Sequence, residues 1–159
     1  MDEIPDFDKL EEQIAASLGQ SVETLKEAVP EFTHEHLEAF YTIAFDFYEN
    51  GNYREATNFF RFLTSLDHMN KKHWMGLGAA LQMLKEYDKA INAYAIAALL
   101  DQQDPHVPFY AAECCFSMGD TGRGLEALDA ADELSVADDN FKGLRTQLSV
   151  LRDAWAKPV

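Results

Sequence analysis

Four columns of residues recur along this chain at a strict 34-residue interval. Ala44, Gly78 and Ala112 form the first, and Ala56, Ala90 and Gly124 the second. Phe60, Tyr94 and Leu128 form the third, and Leu63, Ala97 and Ala131 the fourth. No gap is needed to align them. Within each unit the apolar positions follow helical spacing, as in Tyr53, Ala56, Phe60 and Leu63. A unit of this length is one supersecondary element that cannot bury its apolar face alone, so neighbouring units must stack. The small residues let paired helices approach closely. A stack of such hairpins presents a surface lined by the first helix of each, which turns the question from a reaction to a partner.

A 34-residue period with two small positions around a large apolar one is the tetratricopeptide signature. The fold expected is therefore all-α: a tetratricopeptide-repeat solenoid of three helical hairpins, with N-terminal helices and a C-terminal capping helix. An acidic helical segment occupies residues 1–32. The three repeats fill residues 33–138, as 37–70, 71–104 and 105–138. The last helix lies in 139–159. In the first segment Phe7, Leu10, Ile14 and Leu18 share one helical face, and a second short helix runs from Val22 to Val29. Thr33 is placed to cap the first repeat helix, and Gly51-Asn52 to turn it. Repeat two, with Trp74, Leu77, Gly78, Leu81, Tyr87, Ala90, Tyr94 and Ala97, matches the repeat pattern most fully. Thr121 and Gly124 depart from the usual tyrosine and alanine, so the third hairpin is expected to be the weakest. Phe141, Leu144, Leu148, Leu151 and Trp155 form one face of the final helix, which suits a solenoid cap.

The net charge of −15 over 159 residues disfavours nucleic acid and anionic membrane surfaces as partners. It suits a basic or strongly apolar partner and keeps the outer faces solvated. No apolar run reaches transmembrane length. The start Met1-Asp2-Glu3 is the opposite of a basic signal-peptide start, so no export signal is expected and the location expected is cytoplasmic. Cys114 and Cys115 are sequence neighbours that do not face each other on a helix, and they read as small core residues.

Catalytic signatures do not emerge. His34 and His36 point apart on a helix, and His68, His73 and His106 are dispersed, so no metal site and no cofactor are expected. The run Gly119-Asp120-Thr121-Gly122-Arg123-Gly124 lacks the GK[ST] ending of a phosphate loop and reads as a hairpin turn. The expectation is a protein that is not an enzyme.

The period places a second set of first-helix residues on the inner surface. They are Tyr41, Phe45 and Tyr48 in repeat one, Met75, Ala79 and Gln82 in repeat two, and Phe109, Glu113 and Phe116 in repeat three. This column is apolar and aromatic, the composition of a binding surface. Some of its members turn into the core if the helix phase is off by one residue. Only Lys71 and Lys72 supply cations near it in repeat two, and Glu113 is acidic, so a clamp for a C-terminal carboxylate is disfavoured.

Several stretches go beyond what the repeat requires. Phe62-Leu63 is followed by Leu66-Asp67, then Met75-Gly76-Leu77-Gly78, then Asp104-Pro105 with Pro108-Phe109 and Ala111-Ala112-Glu113-Cys114. In these the chain resembles the class II chaperones of bacterial type III secretion systems, from about Thr33 to Leu134. The resemblance implies a cytoplasmic bacterial chaperone that holds hydrophobic, pore-forming translocator subunits before secretion. It further implies that an extended segment near the translocator's N-terminus lies in the concave groove. Leu63 and Leu66 join the groove set by this resemblance, although Leu63 also stands in a packing column. Some family members dimerise through N-terminal helices, so a homodimer through the Phe7 to Leu18 helix is a further expectation. The alternative reading is a general tetratricopeptide scaffold in another protein assembly.

Overall fold

The computed structural model of the chain describes residues 32–156. The expected helices at Phe7 to Leu18 and Val22 to Val29, and the dimer contact assigned to the first of them, lie outside the described residues. The chain divides into two compact units, Met1–Ala39 and Phe40–Val159.

Among the described residues there are seven α-helices and no strand, as the period predicts. They are α1 (His34–Glu49), α2 (Tyr53–Leu66), α3 (Lys71–Met83), α4 (Tyr87–Leu100), α5 (His106–Ser117), α6 (Thr121–Ser135) and α7 (Lys142–Trp155). A short 3-10 turn, Asp139–Phe141, leads into α7. In the first unit, Thr33 and His36 cap each other. The His36 N–H donates to Thr33 Oγ1 and the Thr33 N–H to His36 Nδ1, both at 3.3 Å.

In the second unit the period is visible in the backbone. Each hairpin turns through one left-handed residue, at Gly51 (φ +78°), Lys85 (φ +62°) and Gly119 (φ +79°), again 34 residues apart. The same two hydrogen bonds close each turn. Asn52 N–H donates to the Phe47 carbonyl, Glu86 N–H to Leu81 and Asp120 N–H to Cys115, each at 2.9 Å. The residue before each donates one turn back, to Tyr48, Gln82 and Phe116. A side-chain acceptor likewise opens each following segment. Asn70 Oδ1 receives Lys72 N–H at 3.2 Å, Asp104 Oδ1 receives His106 N–H at 2.9 Å and Asp138 Oδ1 receives Asn140 N–H at 2.9 Å.

The four columns are the core. Ala44, Ala56, Leu63, Ala90, Ala97, Ala112, Leu128 and Ala131 have no accessible surface, and Phe60 and Tyr94 almost none. From α2 to α7 each helix packs on the next. α1 meets α2 through aromatic pairs, Phe40 with Phe62 at 5.4 Å, Phe47 with Phe59 at 5.5 Å and Tyr41 with Phe60 at 5.7 Å. Glycines mark where a ring takes the place of a Cβ. A Cβ on Gly78 would come within 2.5 Å of the Tyr94 ring, and one on Gly124 within 2.7 Å of the Phe116 ring. Gly124 therefore departs from the repeat pattern because Phe116 occupies the room an alanine would need. Cys114 and Cys115 are buried free thiols, and burial pushes Cys114 up to about 12.

Candidate groove along the first helices

The predicted inner surface starts on α1. Tyr41 is half-buried, its ring edge-on to Phe60 and 6.4 Å from Phe45, which it parallels. The Lys72 ammonium sits 3.9 Å from the Tyr41 ring centroid, a cation–π contact. Phe45 keeps 45% of its surface exposed, a high share for an aromatic, although its neighbour Ala44 is fully buried. One turn on, Tyr48 is half-buried and packs edge-on to Tyr53 at 5.5 Å. Its phenol is raised by burial first, then by Tyr53, Tyr110, Glu49 and Glu113. Residues of α1 and α5 thus share one electrostatic neighbourhood.

The middle of the surface comes from α3. Met75, Ala79 and Gln82 are all half-buried. Gln82 joins three helices. The buried Tyr94 hydroxyl of α4 donates to Gln82 Oε1 at 2.8 Å, and Gln82 Nε2 donates to Glu113 Oε2 of α5 at 3.2 Å. This relay fixes the amide's orientation and holds the carboxylate in place. Burial first, and then Cys114, Tyr110, Tyr48 and Glu113, push the Tyr94 phenol far up, so it remains a donor throughout the ordinary pH range. Tyr110 stacks on Tyr94 at 5.8 Å.

The structure corrects the far end of the predicted surface. Phe109 is only 7% exposed and packs in a cluster with Ala112, Leu128, Ala131, Leu144 and Leu148. Phe116 stacks on Trp155, ring centroids 3.5 Å apart. Both rings are covered by α7, which lies outside the 34-residue period and so did not enter the phase argument. Leu63 is fully buried, because its place in the packing column prevails, whereas Leu66 is half-buried at the end of α2. Between α5 and α7 a cleft of about 340 Å³ remains, lined by Phe109, Glu113, Thr146, Gln147, Val150 and Leu151.

Three contributions were not foreseen. Tyr110 occupies the column of Thr42 and Gly76, so the period contained the signal. The Lys72–Tyr41 contact depends on the offset between α1 and α3. The α7 wall has no repeat counterpart to predict it. Lys71, the other nearby cation, bridges Asp101 and Asp104 at 2.7 Å each. Among the described residues no group of three or more His, Cys, Asp or Glu side chains is placed to hold a metal, and no helix is long and apolar enough to cross a membrane.

The tetratricopeptide-repeat family model matches residues 32–70 and 72–104. Low calcium response locus protein H of Yersinia pestis is 36% identical over 124 residues, 78% of this chain and 74% of the relative. Chaperone protein SicA of Salmonella typhimurium is 31% identical over 126 residues, 77% of this chain and 76% of the relative. The translocator chaperone SycD of Yersinia enterocolitica, solved with a peptide of the translocator YopD, superposes with a TM-score of 0.74 at 36% identity. That match covers 79% of this chain and 96% of SycD.

Proposed function

This chain belongs to the family of tetratricopeptide-repeat chaperones of type III secretion, and from that premise we propose that it holds hydrophobic translocator subunits before their export. The client contributes an extended segment, which lies along α1, α3 and α5. The complex forms in the bacterial cytoplasm. The observation that carries this reading is Phe45, an aromatic ring left exposed beside half-buried Tyr41 and Tyr48 on the first helix of the stack. SycD, whose fold this chain shares, was solved with a translocator peptide.

The physical logic is that of a holdase. A pore-forming subunit exposes long apolar stretches that aggregate when unpartnered. Aromatic anchors supply large contact area at low entropy cost. Ordering a flexible segment costs on the order of 2–5 kcal/mol, which a few well-packed anchors offset. The charge of −15 then keeps the loaded complex soluble. No covalent step and no nucleotide enters this cycle. Tyr41, Phe45, Tyr48, Leu66, Met75, Ala79, Gln82 and Glu113 are the proposed client contacts. Phe109 reaches this surface only at the α7 margin, while Phe116 is covered by Trp155 and Leu63 lies in the core, so neither of these two is a proposed contact.

Co-expression with the translocators of the same secretion system tests the reading. The expected result is a soluble complex that co-purifies, with the translocator aggregating when expressed alone. Translocators that remain soluble and unbound in the presence of the chaperone would refute it.

A further inference from the structure

The cleft between α5 and α7 has a chemistry of its own. Its walls are apolar on Phe109, Val150 and Leu151, with Thr146 and Gln147 at its α7 side. Among the described residues, Glu113 is the one ionisable group lining it. The carboxylate is not placed at random, because Gln82 holds Oε2 at 3.2 Å and is itself oriented by Tyr94 at 2.8 Å. The negative charge reaches its neighbours: the phenols of Tyr48, Tyr94 and Tyr110 and the Cys114 thiol are all raised in part by Glu113, after burial.

An open cleft that sets apolar side chains beside an oriented carboxylate matches one kind of side chain. Lysine and arginine bury an aliphatic stem along apolar surface and carry a charged head at its tip. A purely apolar residue would desolvate Glu113 with only the neutral Gln82 amide to compensate its charge, and an acidic one would meet like charge. We propose that this cleft is a specificity pocket for a lysine or arginine side chain of the client segment. The stem packs on Phe109, Val150 and Leu151, and the head pairs with Glu113. The proposal deepens the client-binding reading and rests on it. It adds a charge requirement to a groove otherwise selected by apolar anchors, and it uses α7 as a wall of the site as well as a cap.

The test uses an array of overlapping 15-residue peptides covering the translocators of the same secretion system. The full-length chaperone is applied first, and the tightest peptide is then measured by fluorescence anisotropy. Replacing one particular Lys or Arg of that peptide by norleucine is expected to weaken binding to the wild-type chaperone roughly tenfold. Glu113→Gln is expected to cause a similar loss, and the two changes together no more than either alone. Gln147→Glu, at an exposed position of α7 where folding is undisturbed, is expected to tighten the unmodified peptide and to do nothing for the norleucine peptide. Equal binding of every norleucine peptide, or additive losses in the double change, would overturn the pocket while leaving the chaperone reading intact. Weaker binding by Gln147→Glu would overturn it too. A wild-type chaperone that binds no peptide of the array would overturn both together.

Discussion

Phe116 and Trp155 stack at 3.5 Å, and the room for that stack comes from Gly124. The first hairpins have alanine at the equivalent positions, Ala56 and Ala90, both fully buried. In the third, the ring of Phe116 fills the space and carries the indole of α7 on its far side. The end of the solenoid is thereby joined to its cap.

Gly124→Ala restores the repeat pattern but is expected to destabilise the chain. The added Cβ would lie 2.7 Å from the Phe116 ring, which must then shift against Trp155. Overpacking of this kind costs about 1–3 kcal/mol. Urea unfolding followed by tryptophan fluorescence measures it, and a stability gain would contradict the packing described.

Lys85 is expected to be a stability reserve. It adopts φ +62°, the conformation that Gly51 and Gly119 supply at the same point of the flanking hairpins. A side chain there costs roughly 1 kcal/mol relative to glycine, less the extra freedom glycine gains when unfolded. Lys85→Gly should raise the melting temperature by a few degrees in a calorimetric scan, and an unchanged or lower value would count against a strained turn.

Phe45→Ala separates binding from folding. Just over half of the residue's surface is covered, so truncating it should cost about 1 kcal/mol of stability and leave the chain folded. The same truncation should weaken a translocator complex by about 1–2 kcal/mol, as for an interface anchor. Isothermal titration beside thermal unfolding gives both numbers. Unchanged affinity would exclude this ring from the client surface.

Lys71 ties the start of α3 to the turn between α4 and α5. Hydrogen bonding from Lys71 holds the Asp101 carboxyl below its usual 3.8. Burial pushes Asp104 up, but hydrogen bonds from Lys71 and His106 outweigh it, and its carboxyl too is lowered. Groups lowered on folding stabilise the protein above their unfolded value, and that contribution disappears as pH falls through the folded one. Burial opposes the charge of Lys71, yet its two carboxylate bonds leave the ammonium raised above 10.5, so its share is present below that value and fades above it. Lys71→Met should therefore lower stability between about pH 5 and 10 by less than about 1 kcal/mol, the pair being partly exposed. The variant and the parent should converge near pH 2, and denaturation midpoints across that range check it.

The 34-residue columns alone determined the fold class, the hairpin positions and most of the core, because packing of small against large residues must repeat wherever the unit repeats. The shared register of Phe45 with Ala79, and of Tyr48 with Gln82, was legible for the same reason. The far end was not legible. Whether Phe109 and Phe116 face solvent depends on α7, which obeys no period and packs where Leu144, Leu148 and Trp155 find apolar surface to cover. The Tyr94–Gln82–Glu113 relay was likewise decided only in three dimensions. It joins side chains of three helices, and helical spacing specifies the face of each helix but not the offset at which neighbouring faces meet.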